Sequence, residues 1–263
     1  MDPRPTVIVT GASQGIGAAV AQWLGSKSAN VTLVARNENA LQSIAREIRE
    51  LGASALVVPA DVADPAACRS IVGKTLDRFQ GLNGLVNNAG ILTPMETVAL
   101  SRAEDWRYNI EVNLLGPAYL SMAALPALRH SRGCIINISS GAAHHVIAAA
   151  SAYCAAKAGL NQFTRVLAAE ETELTVIAVR PGVVDTQMQN MLRKLGPEKM
   201  PPQQAEYYVN LKATGRLEPA AVPARSIAWM VLHAPREWSG AFMSYDEPQI
   251  SAPALAVFGK QYD

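Results

Sequence analysis

The chain has 263 residues, of which 49% are hydrophobic and 17% charged, with a formal net charge of +1. This length suits one large α/β domain, and the apolar content excludes a disordered chain. Near-neutral charge argues against a nucleic-acid binder and favours a small uncharged partner, and no run approaches the roughly 18 uninterrupted apolar residues that would span a bilayer.

Residues 1–10 pass from a short polar lead straight into an apolar run, without the hydrophobic segment of a signal peptide. Cys68, Cys134 and Cys154 stand far apart with no CxxC spacing, as reduced thiols do, so a cytoplasmic protein is expected. Short runs rich in β-branched residues predict strands at Thr6 to Thr10, Val31 to Ala35, Ala55 to Val58, Leu85 to Asn88, Ile135 to Ser139, Val176 to Val179 and Ala241 to Ser244. Helical patterns lie between them at about 15 to 27, 38 to 51, 65 to 80, 101 to 130, 151 to 171 and 219 to 233. Asp64, followed by Pro65, and Ser101 stand where helix N-caps are needed. Strands apolar on both faces, alternating with helices, imply a doubly wound parallel sheet of about seven strands, helices on both faces and ligands beyond the strands' carboxyl ends. Residues 185–217 break this rhythm with prolines and methionines and no strand. They are predicted to form a lid over the cleft or, more plainly, a helical hairpin packed on the body.

The turn after the first strand reads Thr10-Gly11-Ala12-Ser13-Gln14-Gly15-Ile16-Gly17. Three glycines between a strand and a helix allow a sharp turn, close approach to a pyrophosphate and tight helix packing, which marks a single-domain Rossmann fold. The second strand ends in Ala35, Arg36 and Asn37, with no carboxylate for a ribose diol and a guanidinium suited to a 2′-phosphate. NADP(H) is therefore predicted, with Ser13 and Asn37 assisting. The plainer reading is a solvated Arg36 and an NAD-tolerant site.

Tyr153 and Lys157 are four residues apart, hence one turn apart on a single helix face, and Ser140 lies upstream on another element. An ammonium beside a phenol is expected to ease its ionisation and so suit it to proton transfer with a carbonyl oxygen, which Ser140 would also bind. Adjacent strand residues face opposite ways, so only one of Ser139 and Ser140 can point at the site. His144 and His145 follow on the same loop with no third ligand at metal spacing, and no metal is expected. Ile147, Leu92, Met95, Met188, Met191 and Trp106 are candidates for an apolar pocket, or for ordinary core.

Taken together, Thr10 to Gly17, Asp61-Val62, Asn87-Asn88-Ala89-Gly90, Asn113, Ser139-Ser140, Tyr153 to Lys157 and Pro181-Gly182 with Thr186 resemble the short-chain dehydrogenase/reductase family over essentially the whole chain. The resemblance implies Ser140, Tyr153, Lys157 and Asn113 as the catalytic set, Asn113 acting through its backbone in a proton relay to Lys157. It also implies that Gly11, Ser13, Gln14, Gly15, Ile16 and Gly17 contact the dinucleotide, with Asp61 and Val62 at its adenine. Asn88, Ala89 and Gly90 would line it beside the central strand, Tyr153 and Lys157 its ribose, and Pro181, Gly182, Val183 and Thr186 its nicotinamide. Gln14 stands where NADP-dependent members often carry a basic residue. In place of the Asp-Gly-Gly that most members carry near the end, the tail reads Ser239 to Pro248. With Arg180 to Gln189, it is similar to that of fungal benzil reductases and their sepiapterin-reductase-like relatives. That likeness implies reduction of a small carbonyl substrate, an α-diketone among them, by a homodimer paired through the helices at 101 to 130 and 151 to 171. An NAD-dependent alcohol dehydrogenase and a catalytically silent NADP(H) sensor are the rival readings.

Overall fold

The computed structural model describes residues 4–260; of the predicted polar lead, Asp2 and Pro3 lie outside the described residues, and Arg4 and Pro5 lie within them. Strand and helix alternate as β1 (Thr6–Thr10), α1 (Gly15–Ser26), β2 (Asn30–Ala35), α2 (Glu38–Glu50), β3 (Ser54–Pro59), α3 (Pro65–Phe79) and β4 (Gly84–Asn87). The chain continues through α4 (Ala103–Ile110), α5 (Gly116–Ser131), β5 (Cys134–Ile138), α6 (Ser151–Glu170), β6 (Thr175–Arg180), α7 (Gln187–Lys199), α8 (Pro202–Ala213), α9 (Ala221–His233), β7 (Phe242–Ser244) and α10 (Pro248–Phe258). The seven strands form one parallel sheet in the order β3-β2-β1-β4-β5-β6-β7. Strand order reverses between β1 and β4, so the crevice outside their carboxyl ends lies at the switch point where such sheets bind ligands.

Period-two alternation divides the core. Val7, Val9, Val31, Leu33, Ile136 and Ile177 pack against α1 and α9 on one face. Ile8, Leu85, Ile135 and Val176 pack with Ile71, Leu120 and Leu128 on the other. A polar ladder crosses the sheet beneath the crevice. Asn87 Nδ2 donates to Asn137 Oδ1 at 2.9 Å, and Asn137 Nδ2 donates to Thr164 Oγ1 of α6 at 2.8 Å. All three residues are buried, so the ladder fixes β4, β5 and α6 relative to one another in a low-dielectric setting.

Asp64 caps α3 as expected, accepting from Ala66 N at 2.8 Å. Ser101 does not cap α4; its hydroxyl donates to Thr97 O at 2.9 Å, and Arg102 occupies the N-cap position. The single helix expected at 101 to 130 is interrupted by a π turn at Glu111–Leu115. Pro117 has no N–H to give the Asn113 carbonyl four residues back, and the ladder relaxes to a wider turn. Residues 185–217 form α7 and α8, broken apart at Pro201 and Pro202. Their base is closed by Asp185 N to Glu218 O at 2.9 Å and Glu218 N to Val183 O at 3.0 Å. The C-terminal α10, absent from the sequence reading, docks Phe258 edge-on against Trp23 with ring centroids 5.6 Å apart.

Candidate active site

Gly11 and Gly15 take φ of +65° and +57°, left-handed values that favour glycine. A Cβ on Gly17 would sit 2.4 Å from Gly11 O and Asn88 Nδ2, so the turn and α1 touch backbone to backbone. Thr10 Oγ1 accepts from the N–H groups of Asn88 and Ala89 at 2.9 and 3.0 Å, and Asn88 Nδ2 donates to Thr10 O at 2.8 Å. This locks the end of β4 to the glycine turn. Gln14, the N-cap of α1, makes no side-chain cap bond, and the first turn holds no acidic residue. The helix N-terminus thus faces the cleft with unpaired N–H groups, as an anion site requires. Thr186 packs over the turn, its Cγ2 3.4 Å from where a Gly15 Cβ would be.

One cleft of about 2010 Å³ runs over this turn and is lined by Gly11, Ser13, Gln14, Gly15, Ile16, Arg36, Asn37, Asp61, Val62, Asn88, Ala89, Gly90, Ser140, Tyr153, Lys157, Pro181, Gly182, Val183 and Thr186. Every expected site residue except Gly17 and Asn113 therefore borders it. Gly17 lies beneath the turn. Asn113 is buried in the π turn, where its Oδ1 accepts from Ile91 N at 3.1 Å and its Nδ2 donates to Ile91 O at 2.8 Å. Asn37 caps α2 by accepting from Ala40 N at 3.1 Å.

At the far end of the cleft, Arg36 is not simply solvated. It donates to Tyr108 Oη at 2.8 Å, Tyr108 donates to Asp61 Oδ2 at 3.0 Å, and Arg36 Nη1 lies 3.9 Å from that carboxylate oxygen. Burial, then the Asp61 hydrogen bond, holds the Tyr108 phenol above its ordinary range. Sequence reasoning missed Tyr108 because nothing marks one helix tyrosine as facing an arginine 72 residues away.

Beside β4 and β5, Tyr153 and Lys157 occupy the first turns of α6 and are 7% and 4% exposed. Lys157 Nζ sits 5.6 Å from the Tyr153 ring centroid and donates to Ile138 O at 2.7 Å. Gly90 leaves room for it: a Cβ there would be 2.8 Å from Asn113 Oδ1 and 3.7 Å from Lys157 Nζ. Ser140 reaches toward Tyr153 from the end of β5, its Oγ accepting from Ala142 N at 3.1 Å. Ser139 is 2% exposed and its hydroxyl has no partner.

The expected easing of Tyr153 ionisation by Lys157 does not emerge from the protein's own groups. Burial pushes the phenol up to about 12, and the Ser140 hydroxyl beside it offsets this only in part. Burial likewise brings Lys157 down to about 8. For both groups desolvation of the charged form is the largest cause.

Leu92, Ile147, Met188 and Met191 line the cleft as predicted; Met95 and Trp106 do not. Met95 is buried in the neighbouring apolar cluster, and Trp106 Nε1 donates to Ser151 Oγ at 3.2 Å. His145 borders the cleft, whereas His144 stacks on Phe242 with centroids 5.0 Å apart and meets Asn161 Nδ2 at 3.3 Å. Among the described residues no group of three or more His, Cys, Asp or Glu could hold a metal, and no helix is long and apolar enough to cross a membrane. Gln204 and Tyr208 of α8 also border the cleft and carried no sequence signal.

The chain matches the short chain dehydrogenase family over residues 5–195. It is 33% identical over 257 residues to the (S)-benzoin-forming benzil reductase IRC24 of Saccharomyces cerevisiae, covering 93% of this chain and 97% of the relative. A solved short chain dehydrogenase/reductase of the same yeast, YIR035C, superposes with a TM-score of 0.89 at 31% identity, covering 94% of this chain and 98% of the other. A variant actinorhodin polyketide ketoreductase solved with NADPH gives a TM-score of 0.82 at 26% identity, covering 92% and 95%. The fold, the glycine turn and the extent of the match make this chain a member of the short-chain dehydrogenase family, an oxidoreductase with a Rossmann sheet.

Proposed function

We propose that the protein is an NADPH-dependent carbonyl reductase acting on ketones and α-diketones. The observation that carries this reading is one continuous cleft holding, at one end, an uncapped helix N-terminus beside Arg36 and, at the other, a buried Tyr153 with Ser140 and Lys157. The residues present fit a dinucleotide. The glycine turn and α1 would receive its pyrophosphate, Arg36 its 2′-phosphate, Asp61 and Val62 its adenine, and Asn88 to Gly90 with Pro181 to Thr186 its nicotinamide half. When bound, NADPH supplies the hydride.

The protein's share is to bind the carbonyl oxygen and deliver a proton. A phenol raised to about 12 is neutral at working pH, so Tyr153 Oη carries the proton it must give. Ser140 donates a second hydrogen bond to the same oxygen and holds it in place as charge develops. Lys157, brought to about 8, exchanges a proton near neutral pH and can return one to the tyrosine. The side chain of Asn113 is held in the π turn by Ile91 and Asn109, which leaves its backbone for the proton relay to Lys157.

The likeness to a benzil reductase supports the diketone part of the reading. Apolar walls of Leu92, Ile147, Met188 and Met191 suit an aryl or alkyl ketone. The same reading takes the protein as a cytoplasmic homodimer with reduced thiols. Met122 of α5 and Val166 of α6, on the two helices expected to pair, are 56% and 44% exposed. The test is NADPH consumption against ketones, α-diketones, quinones and pterins. Tyr153→Phe is expected to lose turnover by roughly 100-fold or more while NADPH still binds by fluorescence titration. Near-wild-type rates in that variant would remove Tyr153 as the acid.

A further inference from the structure

The carbonyl-reductase reading leaves a tyrosine of the cleft wall without a task. Tyr208 of α8 is 8% exposed, borders the cleft and packs in the same apolar cluster as Tyr153, Leu192, Met200 and Leu211. Its ring meets Tyr207 edge-on, with centroids 5.3 Å apart. Among the described residues no hydrogen bond engages its hydroxyl, which, unlike that of Ser139, is not sealed from the cleft.

The position of α8 is fixed one turn earlier. Gln204 Oε1 accepts from Ala148 N at 2.8 Å, and Gln204 Nε2 donates to Val146 O at 3.0 Å. These two bonds fasten α8 to the loop that leads from Ser140 into Tyr153. Gln204 and Tyr208 are four residues apart and so share a helix face, which turns the Tyr208 ring toward the same chamber. Burial holds its phenol at about 12, with Tyr153 and Cys154 among the nearby groups that also raise it. The hydroxyl is therefore a neutral donor at working pH.

We propose that Tyr208 is a specificity-determining residue that donates a hydrogen bond to the second oxygen of a vicinal dicarbonyl substrate, while Ser140 and Tyr153 hold the first. The proposal rests on the carbonyl-reductase reading and specifies how that site distinguishes a diketone from a simple ketone. The first carbonyl carbon gains the hydride and its oxygen gains the Tyr153 proton. The second carbonyl stays intact and stays bound, so the product is a hydroxyketone. A ketone lacking the second oxygen covers the Tyr208 donor without pairing it, and sites of that kind reject such analogues.

The experiment compares kcat/KM for benzil with that for deoxybenzoin, the same skeleton with one carbonyl, using NADPH and both wild type and Tyr208→Phe. Wild type is expected to prefer benzil, and the benzil-to-deoxybenzoin ratio is expected to fall roughly 10-fold in the variant. Because the lost hydroxyl bonds no protein group, the variant should melt at the wild-type temperature. An unchanged ratio overturns the proposal, whether both rates fall together, as lost packing would cause, or neither moves. A wild type that reduces both ketones equally well also overturns it while leaving the carbonyl-reductase reading standing. A wild type that reduces neither ketone, nor any other carbonyl offered, removes that reading and the Tyr208 proposal with it.

Discussion

Lys157 should make the protein less stable than it would be without it. Burial lowers its ammonium from 10.5 to about 8, which corresponds to roughly 3 kcal/mol of disfavoured charge below that pH. Replacing it with methionine, similar in length and apolar, removes that cost and forfeits one hydrogen bond, that to Ile138 O, of about 1 kcal/mol. The net gain near pH 7 is about 2 kcal/mol, or roughly 4–8 °C in melting temperature for a chain of this size. The gain should depend on pH with a definite sign. Between about 8 and 10.5 the unfolded lysine holds its proton while the folded one has released it. The unfolded chain therefore binds more protons, and wild-type stability rises with pH across that window. The gap between Lys157→Met and wild type should be widest below pH 8 and should narrow by about 2 kcal/mol near pH 9.5. Thermal melts of both proteins without added coenzyme, at pH 7, 8, 9 and 9.5, measure it. A Lys157→Met protein that melts at or below wild type at pH 7, or a gap that does not change with pH, would show that burial of the ammonium is not the dominant effect.

Three further outcomes follow from other parts of the cleft. Arg36→Asp should abolish preference for 2′,5′-ADP over ADP in calorimetric titrations, because it puts a carboxylate where the 2′-phosphate is expected; an unchanged preference would assign that phosphate to other residues. Gly17→Ala should fail to bind dinucleotide and should melt lower, since its Cβ would lie 2.4 Å from the Gly11 backbone oxygen, which cannot yield as a flexible side chain would; a variant with normal melting and affinity would contradict that packing. Asn137→Ala should lower the melting temperature by several degrees, because Asn87 and Thr164 lose their shared partner in a buried setting, at roughly 1–3 kcal/mol; wild-type melting would mean that the ladder contributes nothing net.

The parts legible in the sequence were those set by local rules. β-branched runs placed all seven strands to within about two residues, because a parallel sheet covered on both faces demands apolar side chains at consecutive positions. The glycine turn was legible because only glycine tolerates its φ values and close approaches. The π turn was not foreseen, although Pro117 marked the missing donor four residues after Asn113. Ser101 has the right side chain for a cap, but its hydroxyl bonds backward to Thr97 O and leaves Arg102 at the helix entry. Met95 and Trp106 were candidates for the pocket because an apolar residue, on a loop or on a helix, looks alike whether it faces a cleft or the core. Tyr108 and Tyr208 were invisible for a different reason: their roles depend on partners brought together by packing, which no spacing in the chain records.

The acidity of Tyr153 shows the same division at the level of charge. Spacing put a cation near a phenol, and in water that would favour the phenolate. The fold instead buries both groups, at 7% and 4% exposure, and in that setting lost hydration of each charged form is the largest effect. A neutral phenol beside a lysine near 8 is better suited to giving up a proton than a preformed phenolate would be, since the phenolate has none to give. On the proposed reading, a developing oxyanion draws the proton from Tyr153 and Lys157 replaces it. The polar ladder through Asn87, Asn137 and Thr164 ties α6, the helix that carries these groups, to β4 and β5. Buried donors at fixed positions need not reorganise when charge appears above them, and that is where such a site gains over water.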